Sequence, residues 1–131
     1  MSKKQPEFEL QKSICKWLDL QYPNLLYLSD TIASVKLTIP QQVRNKAIQK
    51  KGFKCPDLLI LQPNDIYHGL FIELKIKSPY KKDGTLLKDE HLEEQQKTIK
   101  DLNLKGYFSC FSWGFEMTKD IINKYLNNYK K

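Results

Sequence analysis

The sequence is poor in the residues that staple small domains together. Its three cysteines, Cys15, Cys55 and Cys110, are odd in number and far apart, and they form no C-x-x-C pair. That excludes a disulfide framework and points to a reducing, cytoplasmic compartment. Only two histidines accompany them, His68 and His91, too few and too scattered for a zinc ribbon. No apolar run approaches the roughly 20 residues of a membrane span. Met1-Ser2-Lys3-Lys4 runs into polar sequence without an apolar signal core, so neither membrane insertion nor secretion is expected. Internal repeats, linkers and low-complexity tracts are also lacking, and residues 1–131 read as one domain. A chain of about 130 residues buries roughly two-thirds of its unfolded surface, enough for a core without staples.

What is abundant is positive charge. Lys and Arg number 22 against 15 Asp and Glu, a net +7, which suits a polyanionic partner such as nucleic acid and equally serves solubility.

Apolar periodicity divides the chain into alternating elements. Pro6 followed by Leu10, Ile14, Trp17 and Leu18 predicts an amphipathic helix over about 7–21, stopped at Tyr22-Pro23. Leu25–Leu28 and Ala33–Ile39 read as short strands. Pro40 opens a second helix on which Val43, Ala47 and Ile48 share a face, Arg44, Lys46, Lys50 and Lys51 mostly occupy the others, and Gly52 supplies the stop. Strands at 57–61 and 66–77, joined by the turn Gln62-Pro63-Asn64-Asp65, predict a hairpin. A lysine-rich loop carries Tyr80 and the turn Asp83-Gly84, then a helix is expected at about 89–105, a strand over 107–113 and a last helix through Met117, Ile121, Ile122, Tyr125 and Leu126. The order implies an α/β or α+β fold with a mixed central sheet flanked by helices.

The chemistry concentrates in the hairpin. Period-2 geometry puts Leu70, Ile72, Leu74 and Ile76 on one face of the second strand, and Phe71, Glu73, Lys75 and Lys77 on the other. A carboxylate and an ammonium inside so apolar a segment need partners, because burying charge is costly unless it is paired or bound to an ion. Asp57 heads the preceding strand directly after Pro56, and a suitable register brings it to Glu73. Two carboxylates beside a lysine suit a hard divalent cation bound through oxygen, and with it the activation of water against a phosphodiester. A Glu-x-Lys triplet alone is a common accident; Pro-Asp at a strand head, a hairpin-length gap and the triplet in the next strand together are far rarer.

The run Lys51-Gly52-Phe53-Lys54-Cys55-Pro56-Asp57-Leu58-Leu59-Ile60, then Phe71-Ile72-Glu73-Leu74-Lys75, then Gln95, resembles the virus-type replication-repair nuclease domain (VRR-NUC) of the PD-(D/E)XK superfamily. With Glu7-x-x-Leu10-Gln11 and the stretch from Leu102 to Tyr107, the resemblance spans nearly the whole chain in the family's order. It implies a restriction-endonuclease-like core and a Mg²⁺- or Mn²⁺-dependent endodeoxyribonuclease. The metal ligands it implies are Glu7, Asp57, Glu73 and the backbone carbonyl of Leu74, with Lys75 and Gln95 as further catalytic residues. Glu9 competes with Glu7, although helical spacing aligns Glu7 with the inward residues Leu10, Ile14 and Leu18, and Gln96 competes with Gln95. Small stand-alone members resemble Holliday-junction resolvases, which implies branched DNA as the partner, a homodimer, and a host's cytoplasm should the chain be viral. Phe53-Lys54-Cys55 departs from the family, many of whose members have glycine in this loop, and so bears on how nucleic acid approaches. The alternative function is a non-catalytic nucleic-acid-binding module on the same fold.

Several residues read as bystanders. His68 and His91 are expected to be solvent-facing or turn histidines, and Cys55 a small buried hydrophobe. Lys77, Lys81, Lys82 and Lys88 are available to phosphates and Tyr80 to an unpaired base.

Overall fold

The structure, a computed structural model, describes residues 5–29 and 37–127. Four helices and four strands follow one another as α1 (Gln5–Gln21), β1 (Tyr27–Ser29), α2 (Ile39–Ile48), β2 (Leu58–Ile60), β3 (Leu70–Lys75), α3 (Glu90–Leu104), β4 (Phe108–Trp113) and α4 (Phe115–Asn127). The strands form one mixed sheet in the order β1-β2-β3-β4. β1, β2 and β3 pair antiparallel, and β4 lies parallel to β3. The parallel pair is joined through α3, since a parallel strand needs a crossover rather than a tight turn.

Alternation along the strands sorts the two faces. Leu58, Ile60, Leu70, Ile72 and Leu74 are almost fully buried on one face, against Ile14 and Leu18 of α1 and Ile122, Tyr125 and Leu126 of α4. α3 packs on β4 from the other face and buries Ile99, Leu102 and Phe111. That second face holds the odd-numbered residues of β3, Phe71, Glu73 and Lys75, beside Ser109, Phe111 and Trp113 of β4.

Some boundaries differ from the sequence expectation. The strand foreseen over 66–77 is confined to 70–75, because the Asn64 side chain accepts hydrogen bonds from the backbone N–H groups of Ile66 and Tyr67 and holds them in a turn. Ile76, assigned to the buried face, lies beyond the strand and is 47% exposed. The segment Ala33–Ile39 is not a strand where it is described: Thr38 caps α2 in a capping box with Gln41, and Ile39 is already helical, while its residues 33–36 lie outside the described residues. α2 buries no residue at all. Its expected apolar face is in solvent, with Val43 63% and Ile48 81% exposed. The helix ends at Ile48, and Gly52 sits in the turn beyond it rather than at its cap.

Candidate active site

The hairpin register decides what Glu73 meets. Leu58 is paired with Ile72, so one step outward along the antiparallel ladder sets Asp57 against Glu73, on the face that carries α3. Asp57 is held from several sides. Its Oδ2 accepts a hydrogen bond of 2.8 Å from the Leu74 N–H, and its backbone carbonyl accepts one of 3.1 Å from Gln11 Nε2 on α1. Gln11 Nε2 also donates to Ser29 Oγ at the end of β1, at 2.6 Å. The preceding Pro56 is fully buried, which fixes the chain's entry into the strand. Three elements, α1, β1 and β3, thereby converge on one aspartate.

Glu73 is only 6% exposed. Burial first, then the hydrogen bond with Asp57 and that carboxylate's charge, push its pKa from 4.5 up to about 10; Lys75 pulls the other way, and the charge of Glu7 adds a smaller push. Two carboxylates in contact in a dry setting cannot both ionise without a compensating cation, so the pair retains a proton at neutral pH. Lys75 shares the strand face with Glu73, with its Nζ 6.0 Å from the centre of the Phe111 ring. Among the described residues it has no ion-pair partner.

Gln95 comes from α3, whose N-terminus is capped by the Asp89 side chain. It is buried, its Oε1 has no hydrogen-bond partner among the described residues, and its Nε2 lies 3.2 Å from Nε2 of His91. Asp57, Glu73, Gln95 and His91 line one cavity of about 600 Å³. Gln96 lines a separate cavity with Tyr80 and Trp113. On α1, Glu9 borders a third with Phe115, whereas Glu7, an exposed residue, is the one whose charge reaches Glu73.

The residues fit a hard divalent cation in a restricted sense. Among the described residues, no group of three His, Cys, Asp or Glu side chains comes close enough to hold a metal ion; the three-acid set of Glu7, Asp57 and Glu73 is therefore not assembled. What is assembled is a pair of carboxylates sharing a proton, with an unsatisfied amide oxygen in the same cavity wall. Mg²⁺ retains several waters and is commonly held by one or two carboxylates together with substrate phosphates, a requirement that this pair meets.

Sequence reasoning missed some features. His91, expected as a solvent-facing or turn histidine, is exposed as expected but sits on α3, lines the cavity and pairs with Gln95 four residues on; the i, i+4 spacing on a helix was the available signal. Cys55 is half-buried and also lines the cavity. Tyr80 packs edge-on against Phe111 and Trp113, so its ring is already engaged within the protein instead of standing free for a base.

A four-stranded mixed sheet flanked by helices, with Asp57 and Glu73 on its central β2-β3 pair, has the restriction-endonuclease-like architecture. The chain is similar in fold to a solved structure described as "VRR_NUC domain protein", with a TM-score of 0.61, 21% identity, and coverage of 92% of this chain and 88% of that one. No family model matches the sequence, and no curated protein matches it.

Proposed function

We propose that the protein is a divalent-metal-dependent endodeoxyribonuclease that hydrolyses phosphodiester bonds in branched or otherwise structured DNA. The observation that carries this reading is the contact between Asp57 and Glu73 beside Lys75, which leaves a buried proton where a cation would otherwise balance the charge. A Mg²⁺ or Mn²⁺ ion held by the Asp57 and Glu73 carboxylates and the Leu74 carbonyl would polarise the phosphate and lower the pKa of a bound water. Glu7 adds negative charge to that set.

The protein's own groups divide the remaining work. Hydrolysis forms one P–O bond to a water oxygen and breaks one P–O ester bond, and negative charge grows on the phosphate oxygens. The Lys75 ammonium, on the same strand face as Glu73, would stabilise that charge. The free Oε1 of Gln95 accepts a hydrogen bond from water at the cavity wall and so orients it, with His91 holding the other end of the amide. The Leu74 N–H fixes the rotation of the Asp57 carboxylate.

A non-catalytic nucleic-acid-binding module is the second reading, favoured by the lack of a three-acid cluster among the described residues. One experiment separates the two. Purified protein is incubated with labelled four-way junction, flap and linear duplex in Mg²⁺ or Mn²⁺, beside Asp57→Ala and Lys75→Ala. Cleavage that both substitutions abolish supports the enzyme, and DNA binding with no cleavage supports the module. Two copies would place paired cuts across a symmetric junction, and the particle mass in solution tests that assembly.

A further inference from the structure

α2 is a helix that the core does not use. It buries nothing, yet Asn45, Gln49 and Lys50 from its last turns and the residues just beyond form a wall of the cavity that holds Asp57 and Glu73. Ten-residue helices are marginal in water on their own, so a capped helix that packs no core residue calls for another purpose.

The wall continues into a built turn. Phe53 N–H donates to the Lys50 carbonyl at 3.2 Å, and Gly52 has φ +81°. A positive φ at the third position is the signature of a type II turn, and glycine supplies it without strain. On the other side of Phe53, the Lys54 N–H donates to Thr98 Oγ1 of α3 at 3.0 Å. Phe53 is thus pinned from both flanks while its side chain remains 36% exposed, and Leu28, 56% exposed, lies on the same lining. Asn45 and Gln49 are joined by a hydrogen bond of 3.2 Å between their amides. Whichever way the two amides turn, that bond uses one NH₂ and one carbonyl and leaves one of each for a ligand.

The cavity of about 600 Å³ falls within the range of small-molecule pockets, roughly 300–1,000 Å³, and is larger than a phosphate group or a hydrated ion requires. An aromatic face, a paired donor and acceptor, and the cation Lys50 are the elements that bind a single nucleotide: stacking, edge hydrogen bonding and phosphate attraction; Lys54, on the same lining, is already ion-paired at 3.9 Å with Glu94 of α3, an acid of that wall. We propose that this cavity receives one unpaired nucleotide beside the scissile phosphate, its base against Phe53 and its edge toward the Asn45–Gln49 pair. The inference rests on the nuclease reading and narrows its substrate class to nucleic acid with a single-stranded nucleotide at the cut site, such as a flap, gap or open junction. Continuous duplex offers no base to the cavity without first unstacking one.

The exposed Ile39, Val43 and Ile48 side chains would equally suit a second copy of the chain. Residues 37–54, however, carry five cations, Arg44, Lys46, Lys50, Lys51 and Lys54, and no acid. Two such segments facing each other repel, and a polyanion attracts both.

The test reads binding and leaves cleavage out. The whole protein, with Ca²⁺ in place of Mg²⁺, is titrated into a duplex bearing one unpaired 2-aminopurine and into the same duplex with that base paired. The unpaired probe is expected to bind more tightly and to lose fluorescence on binding. Phe53→Ala should weaken unpaired binding on the order of tenfold, the loss of one stacked base, and leave paired binding within about twofold; Phe53→Trp should restore it. Urea unfolding of Phe53→Ala checks that the fold persists. Equal affinity for the two probes overturns the proposal, as does a Phe53→Ala loss that is absent or equal on both. A protein dimer that Val43→Glu dissociates, with no change in probe binding, reassigns the helix to a second copy and also overturns it. Absence of cleavage in Mg²⁺ overturns the nuclease reading separately and does not alter these titrations.

Discussion

Replacing Glu73 by Gln removes the proton that the carboxylate pair holds and keeps a side chain of the same shape beside Asp57. The native pKa of Glu73 is raised from 4.5 to about 10, chiefly by burial and then by Asp57. Between those limits the native protein binds a proton that the unfolded chain releases, so stability is full below the unfolded value and declines as pH rises toward the native one. The linkage slope is about 1.4 kcal/mol per pH unit for one proton. From pH 5 to pH 8 the loss therefore amounts to at most about 4 kcal/mol, a large share of a typical domain's total. Glu73→Gln carries no such proton and should match the wild type near pH 5, then exceed it at pH 8 by up to that amount. Urea unfolding in EDTA at pH 5, 6.5 and 8 measures the difference between the two proteins. If the pair holds a metal as proposed, the ion would displace the proton, so Mn²⁺ should recover the wild type at pH 8 far more than at pH 5 and do little for Glu73→Gln. Parallel stability curves for the two proteins would refute the reasoning, since they would mean that Glu73 is ionised in the native state.

Other consequences are simpler. Gln95→Leu should lower kcat by about 10- to 100-fold, as expected for lost positioning of a reacting water, with stability held or raised because a buried unsatisfied oxygen disappears; an unchanged kcat removes Gln95 from the reaction. Ile72→Ala, at a fully buried site between α1 and α4, should cost about 2–5 kcal/mol in urea unfolding. Gly52→Ala meets open space but keeps φ +81°, so strain alone should cost about 1 kcal/mol, measurable as a lower midpoint. DNA affinity should fall steeply with salt, with log Kd linear in log salt concentration, and neutralising Lys50 should reduce the slope by about one phosphate contact.

Much of this was legible in the residues, and the illegible part has a common cause. Alternation told which side chains of β3 share a face, and Pro56-Asp57 at the head of an apolar strand told where the second carboxylate belonged. Periodicity defines the faces of an element but not its neighbours. It could not show that β4 would pair parallel to β3 and bring Phe111 beside Lys75, nor that Thr98 would anchor the loop carrying Phe53. The same limit hid α2. Val43, Ala47 and Ile48 form an apolar stripe by spacing, which predicts burial only when an opposing surface exists. Ile76 failed for a local reason: alternation was carried past the last ladder pair, Lys75 with Trp113, where the pleat ends.

The separation between α2 and the core also bears on how such a protein changes over time. Substitutions in a helix that stabilises no packed interior are not screened by folding, because they neither open cavities nor strand buried polar groups. On the proposed reading, selection there acts on ligand contacts. If the proposed nucleotide site holds, Asn45 at the end of α2 and Gln49 and Lys50 just beyond it can diverge, and with them the preferred nucleic acid, while the sheet that presents Asp57, Glu73 and Lys75 stays under the stricter demands of packing. The proposed chemistry and target preference would thus be written on parts of the chain that can drift at different rates.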